Sequence, residues 1–255
     1  MSMHPSVDYD RVASTYDRRY RHNDYSGIET ALVAFAGQDL DHRVLEVGCG
    51  TGHWLRLLGG RAIWVAGWTH PPACWRRPGR RRSCTAGLSI CLGQLSLSIA
   101  SCASTRFIIS RTKPTFLAEA RRVLRPGGRM MTIGLDPNAG TDQWYIYDYF
   151  EPVLENDRRR YPAASQIQEW MDAVQFVDCV TREVQHLPAR LSARTAIEQG
   201  RLDKGATSQL SVLTDEQYQQ GISRIRKGIE SAEALGESLD LTADLRLYAT
   251  FGSVP

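Results

Sequence analysis

The run Glu46-Val47-Gly48-Cys49-Gly50-Thr51-Gly52 gathers the residues best suited to hold a ligand. Glycine lets the backbone turn tightly and lets a ligand approach the main chain without meeting a Cβ. A loop of the form G-x-G-x-x-G seats a pyrophosphate on a helix N-terminus. The spacing here is G-x-G-x-G with an acid on the preceding strand, which suits a ligand bearing an ammonium group and a flat adenosine more than a pyrophosphate. A purely structural strand-to-helix turn could use the same glycines; the full context "VLEVGCGTG" favours the ligand reading. Cys49 is expected to contribute only its backbone, since no paired histidine lies near it in sequence to activate a nucleophile. The six cysteines, at 49, 74, 84, 91, 102 and 179, form no C-x-x-C pair or zinc-ligand spacing, so reduced thiols and no metal site are expected.

The elements around the loop fit that use. Val44 to Val47 reads as a buried parallel strand, the glycines turn the chain, and a helix is expected from about Thr51 to Leu58. Upstream, Val12/Tyr16/Tyr20 and Ile28/Leu32/Phe35 give two amphipathic helical patterns over 8–36. "RAIWVAG" is a second buried strand ending at Gly67. "KPTFLAEARRVLRPGGRMMTIGL" gives a helix, a Pro-Gly-Gly stop and a strand over Arg129 to Gly134. Helices are expected near 144–153 and 165–174, a strand at "QFVDCVTREVQHL", helices over 189–200 and 214–235, and a final strand at "ADLRLYATFG". Alternation of strands and helices predicts an α/β, doubly wound, Rossmann-like sheet.

The segments "YDRVASTYDRRY" at 9–20, "VLEVGCGTG" at 44–52 and "FLAEARRVLRPGGRMMTIG" at 116–134 resemble class I S-adenosylmethionine-dependent methyltransferases, the group that includes the quinone-biosynthesis C-methyltransferases (methyltransferase type 11). The resemblance covers residues 8–67 and 113–134 well and the C-terminal part in general layout. It implies a seven-stranded, mostly parallel sheet with an antiparallel C-terminal edge, N-terminal helices and a helical insertion. It implies S-adenosylmethionine as cofactor, with Glu46, Gly48, Cys49, Gly50 and Gly52 lining its methionine end and Tyr16 closing over it. Tyrosines 9, 16 and 20 at helical spacing are at least as often packing residues.

The same resemblance predicts an acid at the end of the second strand to bind both ribose hydroxyls. Trp68-Thr69 stands there instead, and Thr69 has no charged bidentate acceptor. Residues 68–112 hold seven arginines and no Asp or Glu, and no acid occurs from Val47 to Ala118. The codons TGG and ACN, read one base earlier, contain GAC, an aspartate. Continued in that frame, "GWTHPPACW" permits "GLDPPAGML", and "TRFIISRT" permits "ALHHFTD", phrases such methyltransferases carry there. A base lost after the Gly67 codon and one gained near Thr112 would explain the window. A poorly packed middle and a cofactor affinity weakened by about 1.5–3 kcal/mol are then expected.

Composition places the chain among ordinary globular proteins: 255 residues, 42% hydrophobic and 23% charged. The net charge of +3 belongs to the odd window, because the remainder has 24 basic and 28 acidic residues. "RRPGRRR" is broken by Pro and Gly, so no nucleic-acid partner is expected. No membrane segment is expected, and the polar N-terminus predicts a cytoplasmic protein. The reading is a single methyltransferase domain over 1–255: cap helices at 1–40, a cofactor-binding half at 41–134 including 68–112, and a substrate-side half at 135–255. The partner expected is a small-molecule acceptor, because the helical insertion is near neutral; "LSARTAIEQGRLDKGATSQL" is a candidate lid. Trp144, Tyr145, Tyr147, Tyr149 and His186 are candidate pocket residues, although aromatics there more often pack. No residue is assigned as catalytic. Two other classes stay open: a non-catalytic Rossmann-like binding protein, and a nicotinamide-dependent oxidoreductase, which would need the longer glycine spacing and a ribose acid.

Overall fold

A run such as Val44-Leu45-Glu46-Val47 has no polar face, so it folds stably only where both faces of a sheet are covered. In the computed structural model, which describes residues 17, 19–37, 43–49, 51–59, 64–68, 97–102 and 113–255, that run forms β1 (Arg43–Val47), buried from its second residue onward. In chain order the elements are α1 (Arg19–His22), α2 (Ser26–Ala36), β1, α3 (His53–Leu58), β2 (Trp64–Trp68), β3 (Leu97–Cys102), α4 (Lys113–Val123), β4 (Leu124–Leu135) and β5 (Gln143–Trp144). There follow α5 (Tyr145–Tyr149), α6 (Pro152–Arg160), α7 (Ala164–Ala173), β6 (Val177–Ser192), α8 (Ala193–Glu198), α9 (Ser208–Ser211), α10 (Asp215–Ala234) and β7 (Asp240–Ser253). Among the described residues the sheet has the order β2-β1-β3-β4-β7-β5, with β6 also pairing β7. The pairings β1–β2, β1–β3 and β3–β4 are parallel, and those of β7 with β4 and β5 are antiparallel.

The chain divides into two compact units. The first comprises Tyr25–Asp136, Tyr161–Gln185 and Leu247–Pro255 and carries the parallel strands. Its core joins Leu45 and Val47 of β1, Leu117, Ala120 and Val123 at helical spacing on α4, Met130 of β4, Met171 of α7, Phe176 and Val254. One row of the sheet runs Gly67, Glu46, Ser101, Met131, Phe251 across five strands.

The second unit comprises Pro137–Arg160, His186–Arg246 and the described part of 1–24. Its α10 starts on a capping box, Thr214 accepting from the Gln217 N–H while the Gln217 side chain accepts from Thr214 N–H. Phe150 stacks on Tyr218 at 6.1 Å, and Gly221 of the same helix leaves space for the Phe150 ring.

Several local expectations shift. The second strand ends at Trp68, one residue beyond Gly67. Pairing of β4 begins at Leu124, before the Pro-Gly-Gly segment, because Leu97 pairs with Leu124 across a register shift. Gly127, at φ +71°, donates its N–H to the Val254 carbonyl, and Val254 N–H returns a bond to Gly128 O, so the expected stop is a kink clasped by β7's end. The expected helix over 189–200 is strand until Ser192 and helix only over Ala193–Glu198. Pro188 and the alternating exposure before it belong to an extended chain, and the Ser192 hydroxyl caps the helix by accepting from Thr195 N–H at 3.1 Å. The 68–112 window supplies one central strand, β3, among the described residues; the remainder of the window lies outside them.

Candidate functional site

The carboxyl end of β1 is where this fold places a ligand loop. Glu46 sits there with 1% of its surface exposed, and neither carboxylate oxygen has a hydrogen-bond partner among the described residues. Burial pushes its pKa up to about 8, so the carboxyl is largely protonated near neutrality. A buried carboxyl with both oxygens unused is expensive to keep. Such a group is a candidate for binding a donor that arrives with the ligand.

The next residue but one, Gly48, has φ +83°, and Gly52 has φ +77° where it precedes α3. Both conformations favour glycine over any residue with a side chain. Between them the turn is closed by Gly52 N–H donating to Cys49 O at 2.8 Å, and Arg56 Nη1 donates to Thr51 O at 3.1 Å. Cys49 is buried and forms no disulfide among the described residues. Trp54 of α3 is buried and meets the edge of Tyr25 at 6.2 Å. Gly50 and Tyr16 lie outside the described residues, as does Thr69.

Asp136, beyond the end of β4, is 8% exposed and its Oδ2 accepts the N–H of Ala164, the first residue of α7, at 2.9 Å. It ties strand to helix.

Of the aromatic candidates in the second unit, Trp144 and Tyr145 are buried, and Trp144 packs edge-on against Tyr147 at 5.3 Å. Burial raises the Tyr145 phenol pKa, an effect that the Arg201 charge opposes. Burial, then the Asp148 charge, raises that of Tyr149. His186 Nε2 lies 2.6 Å from Asp244 Oδ1 at the surface, and Asp244 also pairs with Arg246 at 3.0 Å. Sequence reading passed over Asp157, which is fully buried, accepts from Tyr147 Oη at 3.1 Å and pairs with Arg160 at 3.4 Å. Burial pushes its pKa up to about 6 against the opposing Arg160 charge and the Gln209 and Tyr147 hydrogen bonds. Its position one helical turn after the buried Val153 was the available signal.

A mixed β-sheet with a glycine turn after the parallel-paired strand β1 and a buried acid at the end of that strand is the arrangement of a nucleoside-cofactor-binding α/β enzyme. A family model described as a methyltransferase domain matches residues 18–180, and the chain belongs to that family. No curated protein matches the sequence. Three solved structures share the fold. The YcgJ protein of Bacillus subtilis is 15% identical, with 91% of this chain and 99% of that one covered and a TM-score of 0.56. A SAM-dependent methyltransferase of Archaeoglobus fulgidus is 16% identical, with 96% and 94% covered and a TM-score of 0.50. Phosphoethanolamine N-methyltransferase 2 of Haemonchus contortus, in complex with S-adenosyl-L-methionine, is 13% identical with a TM-score of 0.51; 96% of this chain matches 57% of that protein. The chain is thus an enzyme of methyl transfer, with S-adenosylmethionine as the cofactor of its class. The loop fits that group: the orphaned Glu46 oxygens offer acceptors for an ammonium, and positive-φ glycines leave the main chain open beside them.

No helix among the described residues is long and apolar enough to cross a membrane. No cluster of His, Cys, Asp or Glu suited to a metal ion occurs among them.

Proposed function

We propose that the protein transfers a methyl group from S-adenosylmethionine to a small-molecule acceptor in the cytoplasm. In this reading Glu46, Gly48, Cys49, Gly50 and Gly52 line the methionine end of the donor and Tyr16 closes over it. The observation that carries it is Glu46, buried with both oxygens unpartnered among the described residues, two residues before a glycine whose positive φ disfavours a side chain. When bound, the donor supplies an electrophilic methyl carbon on a sulfonium. The chain's own residues have to bind, orient and exclude water, which is where much of the rate of such a transfer lies.

The ribose end is the weak point. β2 ends at Trp68, where the resemblance expects an acid, and the out-of-frame reading of 68–112 accounts for its loss. That favours a second reading for this chain as it stands: a domain of methyltransferase ancestry that binds poorly and turns over little.

Calorimetry with S-adenosylhomocysteine separates the two. The chain is expected to bind more weakly than micromolar, and the double variant Trp68→Leu, Thr69→Asp to bind roughly tenfold tighter through the restored charged acceptor. Micromolar binding by the unaltered chain would refute the damaged-pocket account, and binding by neither protein would refute methyl transfer.

A further inference from the structure

Strand β6 inverts the usual choice of what to bury. Gln185 is its one buried position, at 8% exposure, while Val177 and Val180 of the same strand stand 41% and 36% exposed. Apolar burial alone would choose the reverse, and a buried amide is costly unless it is hydrogen-bonded. Gln185 is bonded: its Oε1 accepts Gly27 N–H at 2.8 Å and Ile28 N–H at 3.3 Å, from residues 158 and 157 positions away in the chain.

Both donors lie in the first turn of α2, where the opening N–H groups of a helix have no partner within it. Tyr25, the residue before α2, makes no side-chain cap bond to the helix. The cap comes from β6 instead. Gly27 permits the approach: a Cβ on it would lie 2.1 Å from the Val184 carbonyl oxygen, so α2 enters flush against the backbone of the strand. At the far end of α2, Arg129 of β4 donates to Phe35 O at 2.8 Å, and its guanidinium lies 5.3 Å from the centre of the Phe35 ring. The sheet therefore grips α2 at both ends.

What the grip positions is Tyr25. It stands two residues before Gly27, and its ring meets the Trp54 ring at 6.2 Å. Trp54 is buried and is the second residue of α3, two residues after Gly52, whose positive φ and bond to Cys49 O form the glycine turn. From Gln185 to that turn the contacts are continuous, and all lie in the compact unit that carries the parallel strands.

We propose that Gln185 is a positioning residue for the donor loop: by capping α2 from β6 it fixes Tyr25 on Trp54 and so holds the start of α3 where the glycine turn requires it. The role toward the donor rests on the methyl-transfer reading; the mechanical link between Gln185 and the turn does not.

The test compares Gln185→Met, Gln185→Glu and Gly27→Ala in the full chain, by amide hydrogen exchange of the ligand-free protein and by calorimetry with S-adenosylhomocysteine. Gln185→Met keeps the volume and removes the acceptor. It is expected to speed exchange about tenfold at Gly27 and Ile28, to speed it at Gly52 and His53 as well, and to weaken S-adenosylhomocysteine binding about threefold to tenfold. Exchange along the β4–β7 pairing should not change. Gln185→Glu restores an acceptor, charged and at a helix N-terminus, and should return both readouts to within about twofold of the parent. Gly27→Ala raises helix propensity yet should act on the turn as Gln185→Met does, because the added Cβ drives α2 off Val184. Should Gly27→Ala fail to fold, the two glutamine variants decide alone. Parent-like exchange at Gly52 and His53 in Gln185→Met, identical behaviour of the Met and Glu variants, or an S-adenosylhomocysteine affinity unmoved by Gln185→Met would overturn the proposal. If exchange at the turn follows Gln185 while S-adenosylhomocysteine binds neither the parent nor the Trp68→Leu, Thr69→Asp variant, methyl transfer falls and the link stands.

Discussion

Glu46 and Gly67 face each other across the parallel pair β1–β2, one residue before β2 ends. The acid expected to hold the ribose would follow within two residues of Gly67, so the acid that is present and the one that is missing belong to the same edge of the sheet. Glu46 retains its place without the neighbour that would share its ligand.

An ionised Glu46 therefore works against the fold. Its pKa is raised from 4.5 to about 8 by burial, so the fold prefers the protonated form. Its contribution to stability is full below pH 4.5 and is lost as pH rises through about 8. Glu46→Gln should flatten that slope in thermal unfolding between pH 5 and 8 and raise stability at the upper end by roughly 1–3 kcal/mol, while weakening S-adenosylhomocysteine binding.

Asp157 titrates in the same sense over a lower window. Its carboxyl ordinarily titrates at 3.8 and is held at about 6, so its contribution falls away as pH climbs between those values. Asp157→Ala should cost roughly 3 kcal/mol in urea unfolding at neutral pH, because Arg160 and the Tyr147 hydroxyl lose their buried acceptor. Asp157→Asn should cost less and remove the pH dependence.

Gly221→Ala should reverse the usual preference of helix interiors. In an exposed helix the change gains about 1 kcal/mol. Here the added Cβ would lie 2.2 Å from Cδ1 of Phe150, a fully enclosed ring. A loss of roughly 1–3 kcal/mol by chemical denaturation is expected from the overpacking.

Asp136→Ala should cost about 1–2 kcal/mol, since it strands the half-buried N–H of Ala164 at the start of α7. S-adenosylhomocysteine affinity should stay unchanged, which distinguishes a structural tether from a ribose acceptor.

The loop and its strand were legible because their signals are local. Val44 to Val47 is apolar except for one acid, and glycines at 48 and 52 mark the turn by their φ requirement. The long helix was legible for the same reason: Thr214 and Gln217 write its start into the sequence. Ser192 was misread because residues 189–200 carry helix-compatible side chains, and only pairing with a distant strand keeps 189–192 extended. The importance of Asp157 depends on Arg160 at one turn and Gln209 far along the chain, which no short window shows.

Seven successive residues of β4, Arg129 to Leu135, find their outer partners only in Ser253 back to Leu247. During synthesis that edge, with Met130, Met131 and Ile133 upon it, emerges long before the strand that seals it. A nascent chain paused between the two presents an unpaired, sticky ribbon to its neighbours. Slow, cool expression or a holding chaperone should therefore govern the yield of this protein more than any single buried contact does.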